Sequence, residues 1–330
     1  MSNVAAREAW LPWVLLWVGL ITAFRVVTMA FNSTDLFVDE TQYWLWGQNL
    51  SFGYYSKPPM IGWVIRLSTE LAGSDAPFWI RLPGALFHAA TALILAVIAR
   101  RNFDGRVAIW VAVAYATLPL VTVGSFLIST DTVMFPFLAF ALLSWLKVND
   151  GAGVGWAVAA GAALGLAFLS KYAAIYYAIG AVLAAIFVVQ ARPGWRAAAV
   201  ATVAFCIVIS PNIIWNVVNG APTVEHTLDN ADWVRDPGAR AAFNWAGLAE
   251  FFGSQFIVFG PVFFAALLVL WNIDGRPMAG DASPQLAGWV RGGPWPVRCG
   301  DTDWGDLRGW CCTGQPVEPR LWPLSGAGRV

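Results

Sequence analysis

A succession of apolar runs near bilayer-spanning length leaves this chain few folds to choose from. A helix needs roughly 20 residues to cross the hydrocarbon core, and in lipid every backbone polar group must be satisfied within the span itself. The runs are Trp10 to Phe31, Leu82 to Ala99, Val107 to Phe126, Thr132 to Leu146, Val154 to Leu169, Ala173 to Val189, Ala197 to Trp215 and Leu248 to Trp271. They predict an all-α polytopic membrane protein with about eight transmembrane helices. Apolar residues make up 58% of the chain and charged residues only 12%, about half the charge of a soluble domain. The net charge is zero and no lysine-arginine run could track a phosphate backbone, so nucleic acid is excluded as a partner. The first run is longer than the roughly 7 to 15 apolar residues of a signal peptide, and further spans follow, so it reads as an uncleaved helix.

The basic residues sort the loops. Cytoplasmic loops hold the excess of Lys and Arg, and a chain that starts inside places Arg100, Arg101, Arg106, Lys147, Arg192, Arg196 and Arg276 on that side. The opposite face then receives Asp35, Asp39, Glu40, Lys57, Glu70 and Asp75 from the first outer loop, with Asp131 and Lys171 from later helix ends. It also receives the loop from Asn216 to Gly247, which carries Glu225, His226, Asp229 and Asp232. Residues far apart in sequence therefore converge on the outer face.

The first outer loop holds the densest chemistry. Asp39 and Glu40 are adjacent, and Gly53-Tyr54-Tyr55-Ser56-Lys57-Pro58-Pro59 follows. Acids are costly beside a bilayer unless they have a role. Asp39 with Gln42 three residues on forms a capping-box pattern, so a short interfacial helix is predicted from Asp39, ended by Gly53, with a second over Ile61 to Leu71. Asp39 is then either a helix cap, a base, or both, since a cap also holds a carboxylate ionised and oriented. Asp131, in Ser129-Thr130-Asp131, has the same two readings. Lys171 and Arg81, at helix ends, would by default snorkel to the interface. Gly161 and Gly165, spaced G-x-x-x-G, predict close helix packing, and Pro211 and Pro261 predict kinks. Cys206 lies in an apolar run and Cys299, Cys311 and Cys312 near the end, with no C-x-x-C pair; neither a zinc site nor a disulfide framework is expected.

The ordered set Asp39-Glu40, Gly53 to Pro59, Arg81-Leu82-Pro83, Ser129-Thr130-Asp131, Ser170-Lys171-Tyr172 and Pro211-Asn-Ile-Ile-Trp215-Asn with Thr223 to Thr227 resembles bacterial polyprenyl-phosphate-dependent glycosyltransferases of the C-type fold. These are relatives of the protein O-mannosyltransferases and of the lipid A aminoarabinose transferase. The resemblance covers about Trp10 to Trp271. It implies transfer of a sugar from a polyprenyl-phosphate donor to a lipid, glycan or protein acceptor, at the periplasmic face of the bacterial inner membrane, with membrane lipids as surroundings. Carried over, Asp39 is the catalytic acid, with Glu40 and Asp131 as further catalytic candidates. Tyr54, Tyr55, Lys57, Arg81, Lys171, Tyr172 and His226 are the substrate-binding candidates, the lysines facing the donor phosphate. The aminoarabinose enzymes carry an acid before the loop lysine that contributes to a metal site. This chain has Ser56 there, so a divalent metal is left open and no metal-binding residue is expected. Direct displacement would invert the anomeric centre.

From Asp274 to Val330 the chain has no span and no period, and is crowded with Gly, Pro, Trp and Cys. Residues 1–273 are thus expected to form a glycosyltransferase-like membrane domain. Residues 274–330 are expected to form an irregular tail, possible outcomes being a reading-frame change, a truncated and inactive homologue, or a small tail domain. A transporter or lipid flippase is the competing class, though its ionisable groups would sit near the midplane on repeated halves, and no repeat is found.

Overall fold

The computed structural model describes residues 9–223, 225–226 and 245–260. Among them every regular element is helical: α1 (Trp10–Ala30), α2 (Val38–Gln48), α3 (Met60–Ala72), α4 (Pro77–Asn102), α5 (Gly105–Thr117), α6 (Pro119–Gly124), α7 (Thr130–Asn149), α8 (Val154–Ser170), α9 (Ile175–Phe187), α10 (Trp195–Val218) and α11 (Trp245–Phe259). The all-α polytopic class holds. Of the described helices, α1, α4, α7 and α10 are long and apolar enough to cross a membrane, and α5, α8 and the stretch 172–187 are shorter apolar helices. The expected eight spans are therefore not all reached among the described residues. The end of the eighth run, Pro261 and the tail lie outside them.

One run is broken. The stretch from Val107 to Phe126 was expected as a single helix, but α5 ends at Thr117, Leu118 is extended at ψ 138°, and α6 restarts at Pro119. Proline lacks an N–H and drives the preceding residue out of helical geometry. The break frees the carbonyl of Ala116, which accepts a hydrogen bond from Arg25 on α1. The same guanidinium, only 5% exposed, donates to Thr122 Oγ1 at 3.1 Å on α6. An arginine inside a membrane helix is tolerated where it finds such partners.

Packing is layered. α1, α4 and α5 meet through small residues, with Val14, Val18, Ala92, Ala96, Ala108 and Ala112 buried between them. α8 packs against α7 on one side and α10 on the other. The latter contact is as close as the G-x-x-x-G spacing predicts: a Cβ on Gly161 would overlap the Ala201 carbonyl, and one on Gly165 would stand 2.8 Å from Val208 Cβ. The two short helices lie over one end of this bundle. Tyr43 of α2, with Met60, Ile61 and Ile65 of α3, is buried against Ile80, Ile128, Val133 and Leu169 from the ends of the longer elements. At the other end Arg101 pairs with Asp150 and donates to the Leu146 carbonyl at 3.1 Å, so the basic ends of α4 and α7 lie together.

Gly161→Val should overpack the α8–α10 contact and destabilise the fold by about 1 to 3 kcal/mol. Gly155, with open space around its Cβ direction, is the control, and Gly155→Val should leave thermal unfolding in detergent unchanged.

Candidate active site

The site is built on the first turn of α2. Phe37, extended at φ −66° and ψ 160°, is its N-cap, so Asp39 and Glu40 occupy the second and third helical positions. Asp39 is thus not the cap that its spacing to Gln42 predicts. The Glu40 carboxylate reaches back and accepts the Phe37 N–H at 3.1 Å, half of a capping box one residue out of the expected register. The helix ends at Gln48, well before Gly53.

Adjacent acids on a helix point about 100° apart, and here that separates two environments. Glu40 is 2% exposed and Arg81 is 1% exposed. Arg81 Nη2 donates to Glu40 Oε2 at 2.7 Å and Nε donates to Oε1 at 3.1 Å. The remaining Arg81 donors reach the Thr34 carbonyl at 3.0 Å and the Asp35 carbonyl at 2.8 Å. Glu40 Oε1 also accepts the Ile128 N–H at 3.0 Å. The pair is committed within the protein, and neither group faces the outside as a base or a phosphate ligand would.

Asp39 is exposed, and its carboxylate has no hydrogen bond or ion pair among the described residues. Asp131 is likewise not the cap of its helix. Ser129 caps α7, its Oγ accepting the Thr132 N–H at 3.2 Å, which leaves Asp131 in the first turn. There it pairs with Lys171, whose Nζ stands 2.6 and 2.8 Å from the two carboxylate oxygens. The pair is partly exposed, so it is a solvent-facing contact worth about 0 to 1 kcal/mol and not a core strut. Tyr43, buried on α2, lies in the field of both acids. Burial first, then the negative charges of Asp39 and Asp131, push its phenol up to about 12. Tyr43 therefore holds its proton more firmly than a free phenol.

The rest of the loop divides in the same way. Tyr54 is buried, its ring stacked on Trp46 at 4.9 Å and its hydroxyl donating to the Trp46 carbonyl at 2.8 Å. Burial pushes its phenol up, and its hydroxyl is spent on the loop itself. Tyr55 is exposed, with its ring 5.2 Å from that of His226. Lys57 is half-buried, and its ammonium makes no hydrogen bond or ion pair among the described residues. Tyr172 donates to Asn212 Oδ1 at 3.0 Å. Among the described residues no three acids, histidines or cysteines stand close enough to share a metal ion, so the donor set found there does not fit one.

Sequence reasoning missed Tyr43, Ile128 and the role of Asn212. A tyrosine one turn after an acid, and an asparagine inside an apolar span, were the available signals. The Ile128 N–H had none, because a backbone donor carries no sequence mark.

Residues 56–215 match the model of the dolichyl-phosphate-mannose-protein mannosyltransferase family. The chain is 43% identical over 257 residues to the lipid A galacturonosyltransferase RgtD of Rhizobium johnstonii, across 77% of this chain and 53% of that protein. It thus spans about half the length of this curated relative. In fold it is similar to ArnT from Cupriavidus metallidurans, with a TM-score of 0.56 at 22% identity over 69% of this chain and 45% of that one.

Burial separates the two acids in a measurable way. Glu40→Gln leaves Arg81 buried without its counter-charge and should destabilise the protein by roughly 3 to 5 kcal/mol. Asp39→Asn, at an exposed carboxylate, should shift stability by less than about 0.5 kcal/mol. Thermal unfolding in detergent compares them directly.

Proposed function

We propose that this chain is a glycosyltransferase of the GT-C type, that it transfers a sugar from a polyprenyl-phosphate donor to lipid A, and that the sugar is a galacturonosyl group. The likeness to a named lipid A galacturonosyltransferase at 43% identity supports this choice of sugar and acceptor. The observation that carries the reading is the exposed Asp39 carboxylate, which like the Lys57 ammonium in the loop that follows α2 has no hydrogen bond or ion pair among the described residues.

The chemistry then divides among these residues. Asp39 accepts the proton of the acceptor hydroxyl as its oxygen attacks the anomeric carbon. The bond from that carbon to the phosphate oxygen breaks on the opposite side, its electron pair leaves with the phosphate, and the anomeric centre inverts. Lys57 and Lys171 stabilise the charge that gathers on the departing phosphate, and Asp131 holds the Lys171 ammonium in place. Glu40 and Arg81 position this machinery rather than touch the substrate. A 290 Å³ cavity lined by Phe52, Pro59, Trp63, Leu169, Val208 and Pro211 beside the loop takes the first isoprene units of the donor. The acidic end of the bundle, opposite Arg101 and Asp150, is the periplasmic one.

Asp39→Asn should lower the initial rate of transfer from a labelled polyprenyl-phosphate sugar to lipid A by about 10² to 10⁴ per folded molecule. Lys57→Ala should lower kcat more than it raises KM, since its contact strengthens as the phosphate departs. An Asp39→Asn protein that transfers at the normal rate would remove this carboxylate from the chemistry.

A further inference from the structure

Three consecutive residues of the first outer loop are each gripped by a different residue of one distant segment. The Phe52 carbonyl accepts from Asn212 Nδ2 at 2.7 Å. Gly53 lies beneath the Trp215 ring, with no room there for a side chain. The Tyr54 carbonyl accepts from Thr223 Oγ1 at 3.0 Å. We infer that Asn212, Trp215 and Thr223 form a clasp that positions Lys57 against Lys171 for binding one phosphate; this rests on the transferase reading above.

The geometry of Asn212 makes the clasp specific. Its side chain is buried, with Nδ2 on the Phe52 carbonyl and Oδ1 accepting the Tyr172 hydroxyl at 3.0 Å. Flipping the amide would set its oxygen against a carbonyl oxygen, so the network fixes its orientation. A buried amide that loses either partner is penalised. This one side chain therefore sets the distance between the Phe52 backbone and Tyr172, the neighbour of Lys171. On the other side, the Tyr54 N–H donates to the Lys57 carbonyl at 3.2 Å, closing a turn between the gripped residues and the buried Pro58-Pro59. Lys57 is tied through its own carbonyl to Tyr54, while its ammonium stays uncommitted among the described residues.

The return of Thr223 to the loop is itself forced. After α10 the chain reverses through Gly220 at φ 81° and Ala221 at φ 56°. A left-handed alanine is unfavourable by itself. It is retained where the Ala221 N–H donates to the Asn216 carbonyl at 2.6 Å and Thr223 is delivered to Tyr54. Strain at the reversal and the bond it delivers belong to one device.

The test compares Thr223→Val, which removes the hydroxyl at nearly constant volume, with Thr223→Ser, which keeps it, and with Asn212→Leu. Hydrogen exchange read by mass spectrometry on the substrate-free protein should speed up across residues 52–57 in Thr223→Val and Asn212→Leu, stay unchanged in Thr223→Ser, and leave α7 unchanged in all three. Turnover should fall about 10-fold to 100-fold in the first two, the cost of misplacing a binding group by a fraction of an ångström to an ångström, and recover in Thr223→Ser. In a Lys57→Ala background Thr223→Val should add little, because both changes remove the same contact. Unchanged exchange in the loop, or a full multiplicative loss on top of Lys57→Ala, overturns the clasp. If the wild-type protein transfers no sugar, the transferase reading falls. The clasp is then decided by loop exchange and by the rate at which an amine-acylating reagent labels Lys57 in wild type, Thr223→Val and Thr223→Ser: a rate shared by all three overturns it.

Discussion

Everything at the acidic end of this bundle depends on one buried carboxylate. Glu40 is held by the Arg81 guanidinium and by the backbone N–H groups of Phe37 and Ile128, which belong to three separate stretches of chain. Desolvating a carboxylate and a guanidinium costs several kcal/mol each, and Coulomb attraction repays that only when the remaining donors are also satisfied. Here they are. The start of α2, the first turns of α4 and the segment entering α7 are locked together, and Asp39 and Asp131 ride on two of the locked pieces.

The division of labour between Asp39 and Glu40 follows from helix geometry alone. Two acids side by side in sequence cannot face the same way on a helix, so one enters the core and the other meets solvent. The lysines divide similarly. Lys171 has a carboxylate partner at a partly exposed position, whereas Lys57 keeps its ammonium uncommitted among the described residues. In the proposed transfer, a leaving phosphate would meet one cation oriented by an acid and one oriented through its own backbone.

Much of this was legible in the sequence, and the misses have physical causes. Apolar runs announced the helices because their length is fixed by the bilayer. The G-x-x-x-G spacing announced the α8–α10 contact because only glycine lets two backbones approach so closely. The broken third run was misread although Pro119 was visible, since hydropathy is blind to a missing N–H. Asp39 and Asp131 were each open to a reading as cap, base or both. In each case another group claimed the capping role: the Glu40 carboxylate reaching back to Phe37, and the Ser129 hydroxyl bonding Thr132. Arg81 looked like an interfacial lysine-type residue, and its burial could not be inferred without knowing that Glu40 turns inward. Contacts across 88 residues, such as Ile128 to Glu40, lie beyond any local pattern.

Arg25 adds a constraint on biogenesis. The carbonyl that receives its guanidinium belongs to Ala116, 91 residues further along the chain. The first span therefore enters the bilayer carrying a charge whose partner has not yet been synthesised, at a cost that insertion scales put at about 2.5 to 3.5 kcal/mol for a helix centre and that is smaller toward the helix end where Arg25 sits. That debt is cancelled only when α5 and α6 arrive with their break in place. The settling of the first helix is in this sense coupled to the assembly of the third run, and Pro119, by breaking that run, helps supply the carbonyl that Arg25 needs.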